Sequence, residues 1–156
     1  MSSYANLRLR EIAKRRIASV NALLKVGDYE CAAYLLGLTG EIALKAVASK
    51  RLKLTEYPPS TTTDKQQQYL KTHDHRELLV LAGLNETFAV SSGTPEAQNW
   101  SDYTTHYKGD WISRLRYNEM GSSSVKLTDS EVLKLYDVLI GDEHSIVNCI
   151  KNRRLW

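Results

Sequence analysis

The stretch YANLRLREIAKRRIASVNALLKVGDYECAAYLLGLTGEIALKAVASKRL, residues 4–52, decides how this chain folds. From Tyr4 to Val26 it holds neither proline nor glycine, and Leu9, Ile12, Ala13, Ile17, Val20 and Leu24 recur at the three- and four-residue steps of one buried helix face. Arg8, Arg15 and Lys25 then point toward water. Gly27-Asp28 reads as a stop and a restart, because glycine tolerates the left-handed geometry after a helix and aspartate can cap the free amides of the next one. The following segment, Tyr29 to about Leu52, is richer in apolar residues and is expected to lie more centrally. Its Gly37 and Gly40 each cost about 1 kcal/mol relative to alanine inside a helix, which implies a close helix contact or a kink there. The two segments predict an antiparallel helical hairpin.

Downstream, Thr55–Gln68 reads TEYPPSTTTDKQQQ, where Pro58-Pro59 excludes helix and few large apolar residues offer anything to bury, so a loop is expected. Thr72 is placed to cap a shorter third helix running to Leu84, with Leu78, Leu79 and Ala82 turned inward. Thr94-Pro95 has the form of a helix start, and the fourth helix is expected to run to about Tyr117. Glycine and three serines at 121–124 interrupt the chain again. Thr128 and Glu131 then have the spacing of a capping box, opening a last helix with Val132, Leu135, Leu139, Ile146 and Ile150 on one side. No stretch alternates with period two between turn signals. The expectation is an all-α fold and a single domain over residues 1–156.

Composition narrows the function classes. The chain is 42% apolar and 25% charged, values of an ordinary globular protein. Apolar runs are broken by Lys, Arg or Glu well before the ~20 residues that cross a bilayer, so no membrane span is expected. The basic start lacks an apolar run behind it and does not read as a secretory signal. Cys31 and Cys149 are too few and too far apart for a disulfide framework or thiolate zinc site, which suggests a reducing cytoplasm. The net charge of +3 is unevenly spread: residues 1–53 hold ten Lys or Arg against four Asp or Glu, the remainder eleven against fourteen. A basic half can attract phosphates, meet an acidic partner, or present a solvated face.

Candidate chemistry is sparse. His73-Asp74-His75 is dense in polar groups, but neighbouring helical residues point in different directions, so the two histidines are poorly placed for one metal ion and no metal or cofactor is expected. Two readings stay open: a helix start with Asp74 in its first turn, or one histidine facing a cleft. Trp100, Tyr103, Tyr107, Trp111 and Leu115 form a stripe at helical spacing, either core or a platform on which bases stack at about 1–3 kcal/mol each. Beside it lie His106, Lys108, Arg114 and Arg116. The two arginines are two residues apart and cannot both point inward, so at least one should be open to phosphate. Lys14-Arg15-Arg16 and Arg153-Arg154 read as solvated basic runs. Neither a GxxxxGK[ST] nor a GxGxxG phosphate loop is present, and no GxSxG or SxxK nucleophile motif occurs.

Gly27 and Tyr29 followed by AAYLLGLTGEIALKA, then THDHRELLVLAGL, then Trp111 and Arg116-Tyr117, together covering roughly residues 10–120, resemble the HEPN family of small helical toxin and defence proteins. The resemblance implies an up-and-down bundle of four long helices plus one shorter helix, a homodimer, and in many members metal-independent RNA cleavage by an arginine followed four to six residues later by a histidine. Histidine suits proton transfer and arginine suits phosphate stabilisation. This chain departs from that motif, since Gly121, Ser122 and Ser123 stand where the histidine falls after Arg116 and no other arginine has one in range. Three alternatives follow. The chain is a binding module for RNA, nucleotide or protein, with Arg114, Arg116, Tyr117, Lys108, His73 and Asp74 as candidate contacts. It is an RNase with a rearranged site, for which His106 and Arg116 are the candidates. Or it depends on a partner such as a nucleotidyltransferase-like antitoxin.

Overall fold

The computed structural model describes residues 4–59, 65, 70–120, 122, 125 and 127–156, and among these the regular structure is helical, with no strand. Helix α1 spans Ala5–Lys25 and α2 spans Tyr29–Arg51. Gly27, at φ +76°, makes the turn between them, and the Asp28 carboxylate accepts from the Cys31 amide at 3.1 Å to cap α2. The two helices pack along most of their lengths as the expected hairpin. Helices α3 (His75–Leu81), α4 (Pro95–His106), α5 (Trp111–Tyr117), α6 (Asp129–Tyr136) and α7 (Ile146–Asn152) follow.

Helix α2 is the axis of the molecule. Every residue from Ala43 to Ser49 is buried, so this part is enclosed on all sides, and α2 touches α1, α3, α5, α6 and α7. By length and average composition α2 is apolar enough to cross a bilayer, which corrects the sequence expectation, but 72% of the qualifying stretch is buried inside the protein. Its interruptions are Glu41 and Lys45, which bond each other at 2.6 Å.

Gly37 and Gly40 mark the close approach that the sequence implied. A Cβ on Gly37 would collide with the Trp111 ring and meet Tyr107 at 2.8 Å; one on Gly40 would collide with the Tyr103 hydroxyl. The aromatic row therefore belongs to the core. Trp100, Tyr103, Tyr107 and Trp111 are all at most 6% exposed, their rings stack in series with centroids 4.7–6.1 Å apart, and Tyr107 donates to the carbonyl of Ala33. No face of that row is open to a base.

Three expected elements differ. The third helix is capped by Asp74, which accepts from the amides of Arg76 and Glu77 at 2.8 and 3.2 Å; Thr72 instead accepts from the Asp74 amide. The fourth helix breaks at Gly109, φ +58°, into α4 and α5. The last breaks at a π turn, Asp137–Gly141, before Ser145 caps α7. Thr94 with Pro95, and Thr128 with Glu131 as a reciprocal capping box, form as read. Much of the Thr55–Gln68 stretch, and Gly121, Ser123 and Ser124, lie outside the described residues.

Candidate functional site

Arg116 stands near the end of α5, where the helix leaves the core and passes the first turns of α2. Its guanidinium donates to the Tyr34 hydroxyl at 2.6 Å, lies 5.6 Å from the Tyr34 ring centroid and 6.0 Å from that of Tyr117. Those two hydroxyl-bearing rings, Tyr34 foremost, hold its pKa above the usual arginine value. The group is solvent-exposed, and Tyr117 beside it is 75% exposed. Both border an open groove of about 530 Å³, with Leu35 and Leu115 as apolar wall. That volume falls within the range of small-ligand sites. Glu30 and Glu119 also border it; Glu30 is partly engaged, accepting from the Met120 amide at 2.8 Å. One fixed cation thus faces two carboxylates, which suits a ligand with one anionic group and a flat ring better than a run of phosphates.

The same stripe of α2 carries a second polar cluster. Tyr34, Glu41 and Lys45 are spaced seven and four residues apart and so share one helix face, Glu41 lying about 10 Å along the axis from Tyr34. Glu41 is buried, yet its carboxylate reaches the imidazole of His73, with Nδ1 at 3.0 and 3.1 Å from its two oxygens. The His73 side chain is 62% exposed. Its carbonyl accepts from the Trp111 indole at 3.0 Å, and Trp111 lies 6.2 Å from the Tyr34 ring. Trp111 and Tyr34 therefore join the His73 backbone to Arg116. Glu41 and Lys45 were not singled out as site residues from sequence, and their i, i+4 spacing on an apolar helix is the signal that could have found them.

His75 faces the other way. It is 1% exposed, with Nε2 3.0 Å from both the Gly37 carbonyl and the Tyr103 hydroxyl, while Nδ1 finds no hydrogen-bond partner among the described residues. Burial drives its pKa down to about 4, against weaker opposing contributions from Gly37, Glu41 and Asp74. It is a neutral core histidine.

The remaining candidates are scattered. Arg114 donates to the carbonyls of His106 and Lys108 at 3.2 and 3.1 Å, closing the frayed end of α4. Lys108 is exposed on the α4–α5 connection and does not border the Arg116 groove. His106 sits on the far side of α4 in a recess of about 170 Å³ with Asp102, Glu131 and Lys134, its pKa lowered chiefly by burial. His106 and Arg116 thus border different recesses. Asp74 is engaged as the α3 cap. No group of three or more metal-ligating side chains occurs among the described residues.

Compared with known proteins, the chain matches no family model, no curated protein and no solved structure.

Proposed function

We propose that this chain is a HEPN-like, nucleotide- or RNA-associated binding module whose ligand groove is bordered by Tyr34, Arg116 and Tyr117. The observation that carries the reading is the Arg116 guanidinium, held in place by Tyr34 yet open to solvent beside an exposed aromatic ring. Such a pair can receive a phosphate on the fork and a base on the ring face. The Glu30 and Glu119 carboxylates favour a single nucleotide unit at this groove over a length of phosphate backbone. The bundle arrangement, the homodimer, the cytoplasmic toxin–antitoxin or defence setting, and a nucleotidyltransferase-like antitoxin partner belong to the same proposal, supported by the resemblance in residues 10–120.

A second reading, metal-independent RNA cleavage, is favoured by one arrangement: His73, bonded to Glu41, and Arg116, bonded to Tyr34, each reach a residue of the same α2 stripe. This supplies an imidazole and a guanidinium on one face without the absent sequence motif. His73 replaces His106 as its candidate base.

The test is binding of fluorescent mononucleotides and a short single-stranded RNA at fixed salt, together with cleavage of total RNA, for the unsubstituted protein, Arg116→Ala and His73→Ala. The binding reading expects affinity that falls at least tenfold in Arg116→Ala with His73→Ala nearly unchanged. The cleavage reading expects products lost in both. Absence of any nucleotide or RNA binding by the unsubstituted protein overturns both and favours a protein-interaction bundle.

A further inference from the structure

The first and last helices bring together basic residues that are about 140 positions apart in the sequence. Arg10 and Lys14 on α1, Lys50 at the end of α2, Lys151 on α7 and Arg154 just after it surround one recess of about 530 Å³. Among the described residues, none bordering it carries a carboxylate side chain. The nearest acid on α1, Glu11, pairs with Arg10 at 3.4 Å and Lys14 at 3.1 Å, which leaves most of the positive charge uncompensated. The floor is apolar, made by Ile17, Ile140, Val147 and Trp156.

The cationic side chains around the recess are exposed, Arg10 partly so, and two features fix Lys50 and the backbone that carries Arg154. Lys50 donates to the Arg154 carbonyl at 2.7 Å, fixing the far wall of the recess to α2. Arg154 itself has φ +54°, a left-handed conformation in which a non-glycine residue costs about 1 kcal/mol or more. The turn is closed by the Arg154 amide on the Lys151 carbonyl at 3.0 Å and the Leu155 amide on the Ile150 carbonyl at 3.0 Å, and it returns the chain over the recess. An arginine thus stands where glycine is cheaper.

The recess is separate from the Arg116 groove. Tyr34 and Lys50 are sixteen residues apart on α2, which places them about 24 Å apart along the axis and about 160° apart around it. A mononucleotide in one cannot reach the other. Five cations around a small apolar-floored recess match a compact ligand of high charge density, since each added phosphate meets a further cation without meeting an acidic side chain.

We propose that this recess between α1, the end of α2 and α7 binds a small molecule carrying two or more linked phosphates. Isothermal titration of the full chain with inorganic tripolyphosphate, orthophosphate and ATP, all without divalent metal and at matched ionic strength, tests this. Tripolyphosphate should bind at least tenfold more tightly than orthophosphate. Lys14→Gln with Lys151→Gln should weaken it at least tenfold, whereas Lys14→Arg with Lys151→Arg, Arg116→Ala and Lys134→Gln should leave it within about twofold. In the Arg116→Ala background, where the other groove is disabled, ATP binding more tightly than tripolyphosphate assigns the apolar floor to a base; equal affinities there assign the site to the phosphates alone. Tripolyphosphate no tighter than orthophosphate, or affinity untouched by the Lys14→Gln, Lys151→Gln pair, overturns the proposal. So does a short single-stranded RNA that displaces tripolyphosphate at equal phosphate concentration, because that outcome makes the recess part of an RNA track.

Discussion

Gly37 shows how one missing Cβ organises the centre of the protein. In a helix interior alanine is favoured over glycine by about 1 kcal/mol, so propensity alone makes Gly37→Ala stabilising. Here the added methyl meets Trp111 and Tyr107, two large rings enclosed on every side. Overpacking of a tight core costs about 1–3 kcal/mol, and rings locked in a series cannot turn aside singly. Gly37→Ala should therefore lower the unfolding free energy by about 1 kcal/mol or more in urea denaturation; a gain in stability would mean that the aromatic series is looser than these contacts. His75, one residue deeper in the same cluster, gives a pH signature. Its folded pKa near 4 lies below the usual 6.5, so between those values the unfolded chain binds the proton and the folded one does not. Stability from keeping His75 neutral is present above about pH 6.5 and is lost as pH falls toward 4, amounting to about 3 kcal/mol over that window. His75→Gln cannot titrate. Its stability should be lower than the unsubstituted protein's at pH 7 and the gap should close toward pH 4, as read by urea denaturation at each pH; parallel curves would show that the imidazole is not kept neutral.

At the scale of the element, the helix starts were legible because caps are local chemistry. Asp28, Thr94 with Pro95, and Thr128 with Glu131 each act on amides two or three residues away, so their spacing carries the information. The breaks were not legible. Trp100, Tyr103, Tyr107 and Trp111 keep helical spacing straight through the Gly109 turn, because the core receives all four rings in one series whether or not the backbone beneath is continuous. The π turn at 137–141 hides likewise under Leu135, Leu139 and Ile146. The site was legible only in part: the sequence predicts that at least one of Arg114 and Arg116 is accessible, but the cross-chain partners Tyr34 for Arg116 and Glu41 for His73 depend on which face of α2 each later helix covers. Asp74 illustrates the ambiguity. Its carboxylate holds two amides of α3, so Asp74→Ala should cost about 1 kcal/mol of stability, within the usual 0.5–2 for a lost cap, and leave nucleotide affinity within twofold once folding is complete. Thermal melts and binding on the same sample check both halves; a large loss of affinity at unchanged stability would move Asp74 from the scaffold into the site.

For the whole molecule, α2 separates two kinds of surface. Near its start lies a groove with one guanidinium and two carboxylates; near its end, on the nearly opposite face, lies a recess with five cations. Of the ten basic residues in positions 1–53, Arg10, Lys14 and Lys50 border this recess together with Lys151 and Arg154 from the far end of the sequence, while Arg8, Arg15, Arg16 and Lys25 are exposed elsewhere on α1. Like charges held this close repel, and the repulsion is screened as the Debye length shrinks from about 30 Å at 0.01 M salt to about 8 Å at 0.15 M. A recess kept cationic against its own repulsion has a stability cost that binding an anion would relieve. Two consequences can be measured without any ligand. The melting temperature of the unsubstituted protein should rise with added sodium chloride over that range. Replacing Lys14 and Lys151 by glutamine should raise it at 0.01 M by about 1–2 °C, corresponding to about 0.5 kcal/mol, and should flatten the salt dependence. The direction is what discriminates. If the two lysines were exposed residues engaged in favourable ion pairs, their removal would lower the melting temperature at low salt and the loss would shrink as salt is added; Lys14 does lie 3.1 Å from Glu11, but that carboxylate is shared with Arg10 and stays partnered when Lys14 is gone. Repulsion among the remaining cations then outweighs the lost exposed pair, whose worth in water is at most about 1 kcal/mol.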